Sequence, residues 1–163
     1  MEGRGIPTGD IGIDRDKIWT TGLNTCIFLC IRTETSYIGW HFSSDCMGYG
    51  LNMARVKAVL DTIKNVINVF IVKGDDRDDE LKLKPNSRTL QYRPELRNNT
   101  TQSRDFLLNF LNKYSWFKEA VIEKGVGNYK EFVLFGKGLP KPIYIRNDKL
   151  FDDICIVDGG KMT

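Results

Sequence analysis

Residues 26–32, Cys-Ile-Phe-Leu-Cys-Ile-Arg, are too short and too rich in β-branched and aromatic side chains for a helix, and read as a buried strand. Thr33 to Ser36 reads as a turn and Tyr37 to Phe42 as the return strand. The hairpin carries Cys26 at one end and His41, the single histidine of the chain, at the other. Two turns are compatible with the sequence. A tight turn centred between Thr33 and Glu34 sets Cys26 opposite His41. A longer one over Thr33 to Ser36 sets Cys26 opposite Ser43, with His41 as its diagonal neighbour on the same face. Directly opposed Cβ atoms lie roughly 4.5–5.5 Å apart and diagonal positions roughly 7–8 Å, so either register brings thiol and imidazole together. A slip of one residue separates them.

A thiol beside an imidazole is the minimal arrangement for nucleophilic acyl chemistry, because the attacking species is the thiolate and the imidazole takes its proton. Zinc is the competing use of Cys26, Cys30, His41 and Cys46. Strand positions four apart are separated by about 13 Å at roughly 3.3 Å per residue, too far for Cys26 and Cys30 to share one ion. We therefore expect no metal and no cofactor, with Cys30 as packing.

Length and composition frame this hairpin. With 163 residues and 41% hydrophobic content, the chain is expected to form one domain with its own core, ordered over about residues 10–157. Twenty-four basic and 21 acidic residues are too evenly balanced to argue for nucleic acid or a membrane surface as partner. Four cysteines, Cys26, Cys30, Cys46 and Cys155, lack the density of a secreted disulfide scaffold and read as reduced. No apolar stretch approaches about 18 residues, and Met1 to Asp16 is glycine-rich and charged rather than signal-like. A cytoplasmic protein without a cleavable signal peptide is expected, or an effector delivered into a host cytosol.

Beyond the hairpin, helix and strand signals alternate. Met53, Val56, Leu60, Ile63 and Ile67 keep the spacing of an amphipathic helix face, and Ile67 to Val72 reads as a buried strand. Residues 75–99 lose all periodicity around Pro85 and Pro94 and read as a long surface excursion. Phe106, Leu107, Phe110, Leu111 and Tyr114 mark a second helix, capped near Thr101 or Ser103. Short strands follow at 120–123, 131–135, 143–146 and 154–157. The order predicts an α/β fold: a single-domain sandwich of one mixed β-sheet packed against helices.

The flanks of the hairpin carry a resemblance. Thr20-Thr21-Gly22-Leu23-Asn24-Thr25-Cys26, followed by Gly39-Trp40-His41-Phe42, resembles the nucleophile and histidine motifs of the CheD-type chemoreceptor glutamine deamidases. Gly48-Tyr49-Gly50, with Asn52-Met53, is similar to the family's Tyr-Gly segment. Gly125-Val126-Gly127-Asn128-Tyr129 and Phe132-Val133-Leu134-Phe135 are similar to its glycine turn and following strand. The superfamily also includes the cytotoxic necrotizing factors and the Burkholderia lethal factor. The resemblance spans about Asp10 to Arg146 and departs from the pattern in three places. Asn24-Thr25 stands where chemotaxis members have Gly-Ser, Ser43-Ser44-Asp45 replaces Met-Leu-Pro, and Lys73-Gly74-Asp75-Asp76 replaces a Gly-Ala turn.

What the resemblance implies is a CheD-like fold and a cysteine-dependent protein-glutamine glutaminase. Cys26 is then the nucleophile, His41 the base, and Thr20 the residue that holds the histidine. Backbone N–H groups at Thr25 and Cys26 are the oxyanion donors, and Trp19, Trp40 and Ser43 border the substrate. The partner is a protein presenting a glutamine side chain, without nucleic acid or membrane insertion. The departures favour a toxin-like target, a host GTPase or translation factor, over a chemoreceptor. The alternatives are a chemotaxis receptor deamidase or methylesterase, another cysteine amidohydrolase, and a binding module without activity.

Overall fold

The computed structural model describes residues 3–24, 26–43, 52–74, 100–123, 129–146 and 149–151. Ten strands and two helices lie within them: β1 (Arg4–Gly5), β2 (Ile11–Asp14), β3 (Lys17–Leu23), β4 (Ile27–Thr33), β5 (Tyr37–Phe42), α1 (Met53–Leu60), β6 (Val66–Lys73), α2 (Thr100–Leu111), β7 (Val121–Ile122), β8 (Lys130–Gly136), β9 (Ile143–Arg146) and β10 (Lys149–Phe151). They form two five-stranded mixed sheets, not the single sheet expected from the sequence. One has the order β1-β3-β8-β9-β10 and the other β2-β5-β4-β6-β7. Each is antiparallel except at one edge, where β1 runs parallel to β3 and β7 parallel to β6.

The hairpin explains the layering. Every residue of β5 is buried, and so is every residue of β4 except Arg32. A strand buried on both faces needs cover on both. On one face Ile27, Leu29, Ile31, Ile38, Trp40 and Phe42 form a core with Val56 and Leu60 of α1 and Leu107, Leu108 and Leu111 of α2. On the other, Phe28 and Cys30 pack with Ile18, Leu23, Val133 and Phe135 of the facing sheet. The molecule is thus sheet on sheet on helices, with the hairpin in the middle layer.

The longer of the two turns is the one formed. Thr33 N–H donates to the Ser36 carbonyl at 2.9 Å, and Thr33 Oγ1 accepts from Ser36 N–H at 3.0 Å, leaving Glu34 and Thr35 as the loop. This fixes Phe28 opposite His41 and Ile27 opposite Phe42. Extending the register by one residue sets Cys26 opposite Ser43.

Two elements differ from the sequence pattern. The first helix ends at Leu60, so Ile63 lies beyond it and Ile67 is an outward residue of β6, 49% exposed. The β4–β6 register shifts between Arg32 and Thr33, whose partners are Asn68 and Val66, so Ile67 is the extra residue of an irregularity and bulges outward, and the helical spacing there is coincidental. The segment before Gly9 belongs to the core instead of fraying: β1 pairs with β3, and Ile6 is buried. The proposed strand 154–157 and the excursion 75–99 lie outside the described residues.

The chain passes from one sheet to the other between the end of β3 and the start of β4. Gly22 precedes this crossing with φ of 61°, a left-handed backbone that glycine adopts without strain. Gly74 lies against it: a Cβ there would stand 1.9 Å from the Asn24 carbonyl oxygen and 2.8 Å from that of Cys26. Both obstacles are backbone. Gly74→Ala is therefore expected to cost about 1–3 kcal/mol of stability in urea unfolding, the range for forced overpacking. An unchanged midpoint would mean the two segments do not meet this closely.

Candidate active site

Thr20 and His41 meet between the sheets. Thr20 points inward from β3 of one sheet and His41 from β5 of the other. Both are buried, at 1% and 0% exposure. Thr20 Oγ1 lies 2.7 Å from His41 Nδ1 and 2.7 Å from the Ile6 carbonyl oxygen. A carbonyl only accepts, so the single threonine proton goes to Ile6. Thr20 Oγ1 must then accept from His41, which places the imidazole proton on Nδ1 and leaves the Nε2 lone pair open. The chain of donors is therefore His41 Nδ1–H to Thr20 O–H to Ile6 C=O.

The histidine backbone is held as firmly. His41 N–H donates to the Asp10 carbonyl at 3.0 Å, and the His41 carbonyl accepts from Gly9 N–H at 2.8 Å. The N-terminal segment thus grips His41 through its peptide groups and through Thr20. Burial pushes the imidazole pKa down to about 4, because the charged form loses its hydration. At neutral pH the ring is neutral, and Nε2 has no hydrogen-bond partner in its buried position. A neutral imidazole with an open Nε2 is a base.

Cys26 is half-buried, a thiol packed against the same inter-sheet cluster as Phe28 and Cys30. Register and face place it diagonally from His41, with Ser43, 5% exposed, directly opposite. Diagonal neighbours are the longer of the two separations, within reach of extended side chains. The thiol and Nε2 share a face without a hydrogen bond between them. Cys26 is also the more exposed of the two, so a ligand meets the thiol first.

The tryptophans stand elsewhere. Trp40 is fully buried in the helix-side core, edge-on to Phe42 and Phe110 at 5.0 and 5.8 Å between ring centroids, on the face opposite His41. Trp19 alternates with Thr20 and so lies on the outer face of its sheet, against Phe132 at 5.8 Å. Neither joins the Thr20–His41 pair. Thr25, Ser44, Asp45, Cys46, Gly48 to Gly50 and Gly125 to Asn128 lie outside the described residues. Among the described residues no group of three or more His, Cys, Asp or Glu gathers as metal ligands, and no helix is long and apolar enough to cross a membrane.

The sequence did not reveal the Ile6 carbonyl, because a backbone acceptor has no residue signature. Lys130 and Glu123, which form a buried ion pair at 2.9 Å, were equally hidden. Glu123 closes one apolar run and Lys130 stands ahead of another, so both read as polar flanks of strands.

Thr20→Val is expected to lower stability by about 1–3 kcal/mol in urea at pH 7, because it leaves Nδ1–H buried without an acceptor. Equal midpoints for the two proteins would show that the contact contributes nothing.

A scan of family models finds no match to this chain, and a search of curated proteins finds none either.

Proposed function

We propose that the protein is a protein-glutamine deamidase that works through a thioester on Cys26. The observation that carries this reading is the donor chain from His41 Nδ1 through Thr20 to the Ile6 carbonyl. It leaves a neutral imidazole with its basic nitrogen on the face shared with the Cys26 thiol.

Cys26 Sγ attacks the glutamine carboxamide carbon while its proton moves to His41 Nε2. The carbonyl π pair moves to oxygen, and the backbone N–H of Cys26 is the donor that the resemblance assigns to that oxyanion. Such donors contribute about 2.7–4 kcal/mol in other acyl-transfer sites. Collapse of the tetrahedral adduct expels the amide nitrogen, which takes the proton from Nε2 and leaves as ammonia. Water then gives a proton to Nε2 and adds to the thioester, and the thiolate leaves and is reprotonated, with glutamate as product. Thr20 keeps the proton on Nδ1 throughout, the orienting role of a third triad member.

The resemblance of residues 20–26 and 39–42 to the CheD-type and toxin deamidases supports the same chemistry, with a CheD-like fold. The altered residues around Cys26 and after His41 favour an effector's host protein over a chemoreceptor as substrate. Intact-mass and peptide mass spectrometry of substrate extracts treated with wild type or Cys26→Ser tests the reading. A gain of about one mass unit at a specific glutamine, with ammonia released by wild type alone, is expected from amide-to-acid conversion by a thiol nucleophile. Glutamine on a long coiled-coil helix would point to the chemoreceptor alternative. No modified glutamine, together with a Cys26 that alkylates like an ordinary thiol of pKa about 8.5, would turn the reading to a binding module.

A further inference from the structure

Lys130 has no contact with solvent, although lysine is almost never fully buried unless paired. Its ammonium lies 2.9 Å from Glu123 Oε2, donates to the Lys73 carbonyl, and sits 5.1 Å from the centroid of the Tyr144 ring. Glu123 Oε2 also accepts from the Lys73 backbone N–H at 3.1 Å. The ion pair therefore holds Lys73 at both ends, Glu123 by its N–H and Lys130 by its C=O. It also spans the sheets, since Lys130 starts β8 while Lys73 ends β6 and Glu123 follows β7.

The peptide unit joining Lys73 to Gly74 carries the grip onward. Gly74 N–H donates to the Cys26 carbonyl at 2.8 Å. One peptide unit is planar and rigid, so fixing its oxygen fixes the direction of its N–H. Lys130 Nζ and the Cys26 carbonyl are the two ends of one chain of hydrogen bonds, which the buried charge polarises. The close approach of Gly74 to Asn24 and Cys26 places the same peptide under the crossing by a second criterion.

Stability does not explain an ion pair here. Two apolar side chains of similar volume are often as stable as a buried pair or more so, whereas removing one partner alone is costly. We propose that Lys130 and Glu123 are positioning residues for Cys26, holding the backbone of the nucleophile in register with the histidine. The proposal rests on Cys26 being the nucleophile of the deamidase reading. Two buried polar ties between the sheets then divide the work: Thr20 and Ile6 orient the base, and Lys130 and Glu123 orient the thiol.

The test is the rate of iodoacetamide modification of Cys26, followed by peptide mass spectrometry from about pH 5 to pH 9, with urea midpoints measured alongside. When neutral His41 takes the thiol proton in the step of alkylation itself, nothing is exchanged with solvent beforehand, so the rate is flat from above the imidazole pKa of about 4 to about pH 8. An uncoupled thiol of pKa about 8.5 slows tenfold for each unit below that. Wild type is expected to be flat between about pH 5 and pH 7. The double variant Lys130→Met/Glu123→Leu is expected to fold with a lowered midpoint, because the Lys73 N–H and C=O lose their side-chain partners, and to regain the tenfold slope, as His41→Asn does. Its rate at about pH 6 then falls at least tenfold, and Lys130→Arg restores most of it. A double variant that folds and stays flat overturns the positioning role while the deamidase reading stands. A wild-type profile that itself titrates near pH 8.5 overturns both. Should the double variant not fold, Glu123→Gln decides on a smaller scale: a several-fold lower rate supports the role, and an unchanged profile overturns it.

Discussion

His41→Asn is expected to lower glutamine deamidation by about 10²–10⁴-fold, the usual worth of a positioned general base, while leaving the fold in place. Asparagine isolates the chemistry. Its amide N–H can stand near the position of Nδ1 and keep the bond to Thr20, but it has nothing where Nε2 stands. The pH dependence of the wild-type protein in the same assay adds a second signature. An imidazole works as a base only when neutral, so the acid limb of kcat/KM follows the protonation of His41. Burial holds that protonation down near pH 4. An ordinary histidine base would lose tenfold in rate per unit below about pH 6.5. Activity that persists to about pH 5 in wild type is the expected outcome, measured by ammonia release from the identified substrate. An acid limb centred near pH 6.5 would mean that His41 titrates in contact with water. Thr20→Val moves the same profile less, because it loosens the tautomer without removing the nitrogen.

The hairpin was legible because its two signals are local. An apolar run, a polar turn and a second apolar run define antiparallel pairing, and pairing fixes faces. Sequence could not choose between the two turns, because both have polar residues in the right places. The choice came from Thr33, whose hydroxyl and amide both close on Ser36. Thr20 was singled out only through the resemblance of residues 20–26, and the fold sets its hydroxyl 2.7 Å from His41 Nδ1. Two strands of the second sheet were legible, at 131–135 and 143–146, but their separation from the hairpin's sheet was not. β1 and β7 are two residues long, and each joins its sheet by parallel pairing to a strand distant in sequence. Strands this short carry no periodicity. The buried ion pair was hidden for a related reason: Lys130 and Glu123 look like solvated flanks until the sheets are brought face to face. Trp40 shows the converse. Its place next to His41 in sequence suggested the site, but strand alternation sends adjacent residues to opposite faces.

Two polar ties therefore cross between the sheets. Thr20–His41 and Lys130–Glu123 each join a strand of one sheet to the other. Their cost is the desolvation of groups that water would otherwise solvate. Both are repaid in geometry: the contacts of Thr20 with His41 and Ile6 at 2.7 Å, of Lys130 with Glu123 at 2.9 Å and of Glu123 with Lys73 N–H at 3.1 Å fall within the ordinary hydrogen-bond range. A site assembled this way is rigid on the side of the base and accessible on the side of the thiol.

Acid should unfold this protein in a window that His41 sets. The unfolded imidazole titrates near 6.5 and the folded one near 4, so the unfolded chain binds a proton over that interval and the native state does not. The contribution of His41 is fully present above about pH 6.5 and is lost as the pH falls towards 4. The whole of it amounts to about 3 kcal/mol. Among the described residues two carboxyls are shifted as well and must be separated from it. Burial raises Glu123, which works in the opposite sense: its native carboxyl takes up a proton sooner than the unfolded one as the pH falls from above. Backbone hydrogen bonds from Lys17 and Asp16 lower Asp14, which loses its contribution only below the ordinary carboxylate range. The difference between wild type and His41→Asn cancels both, because each variant keeps them. From pH 7 to pH 4 wild type is expected to lose about 3 kcal/mol relative to His41→Asn, read as a divergence of urea midpoints at constant slope. Parallel curves would show that His41 reaches solvent in the native state, and the buried neutral base at the centre of the proposed mechanism would go with it.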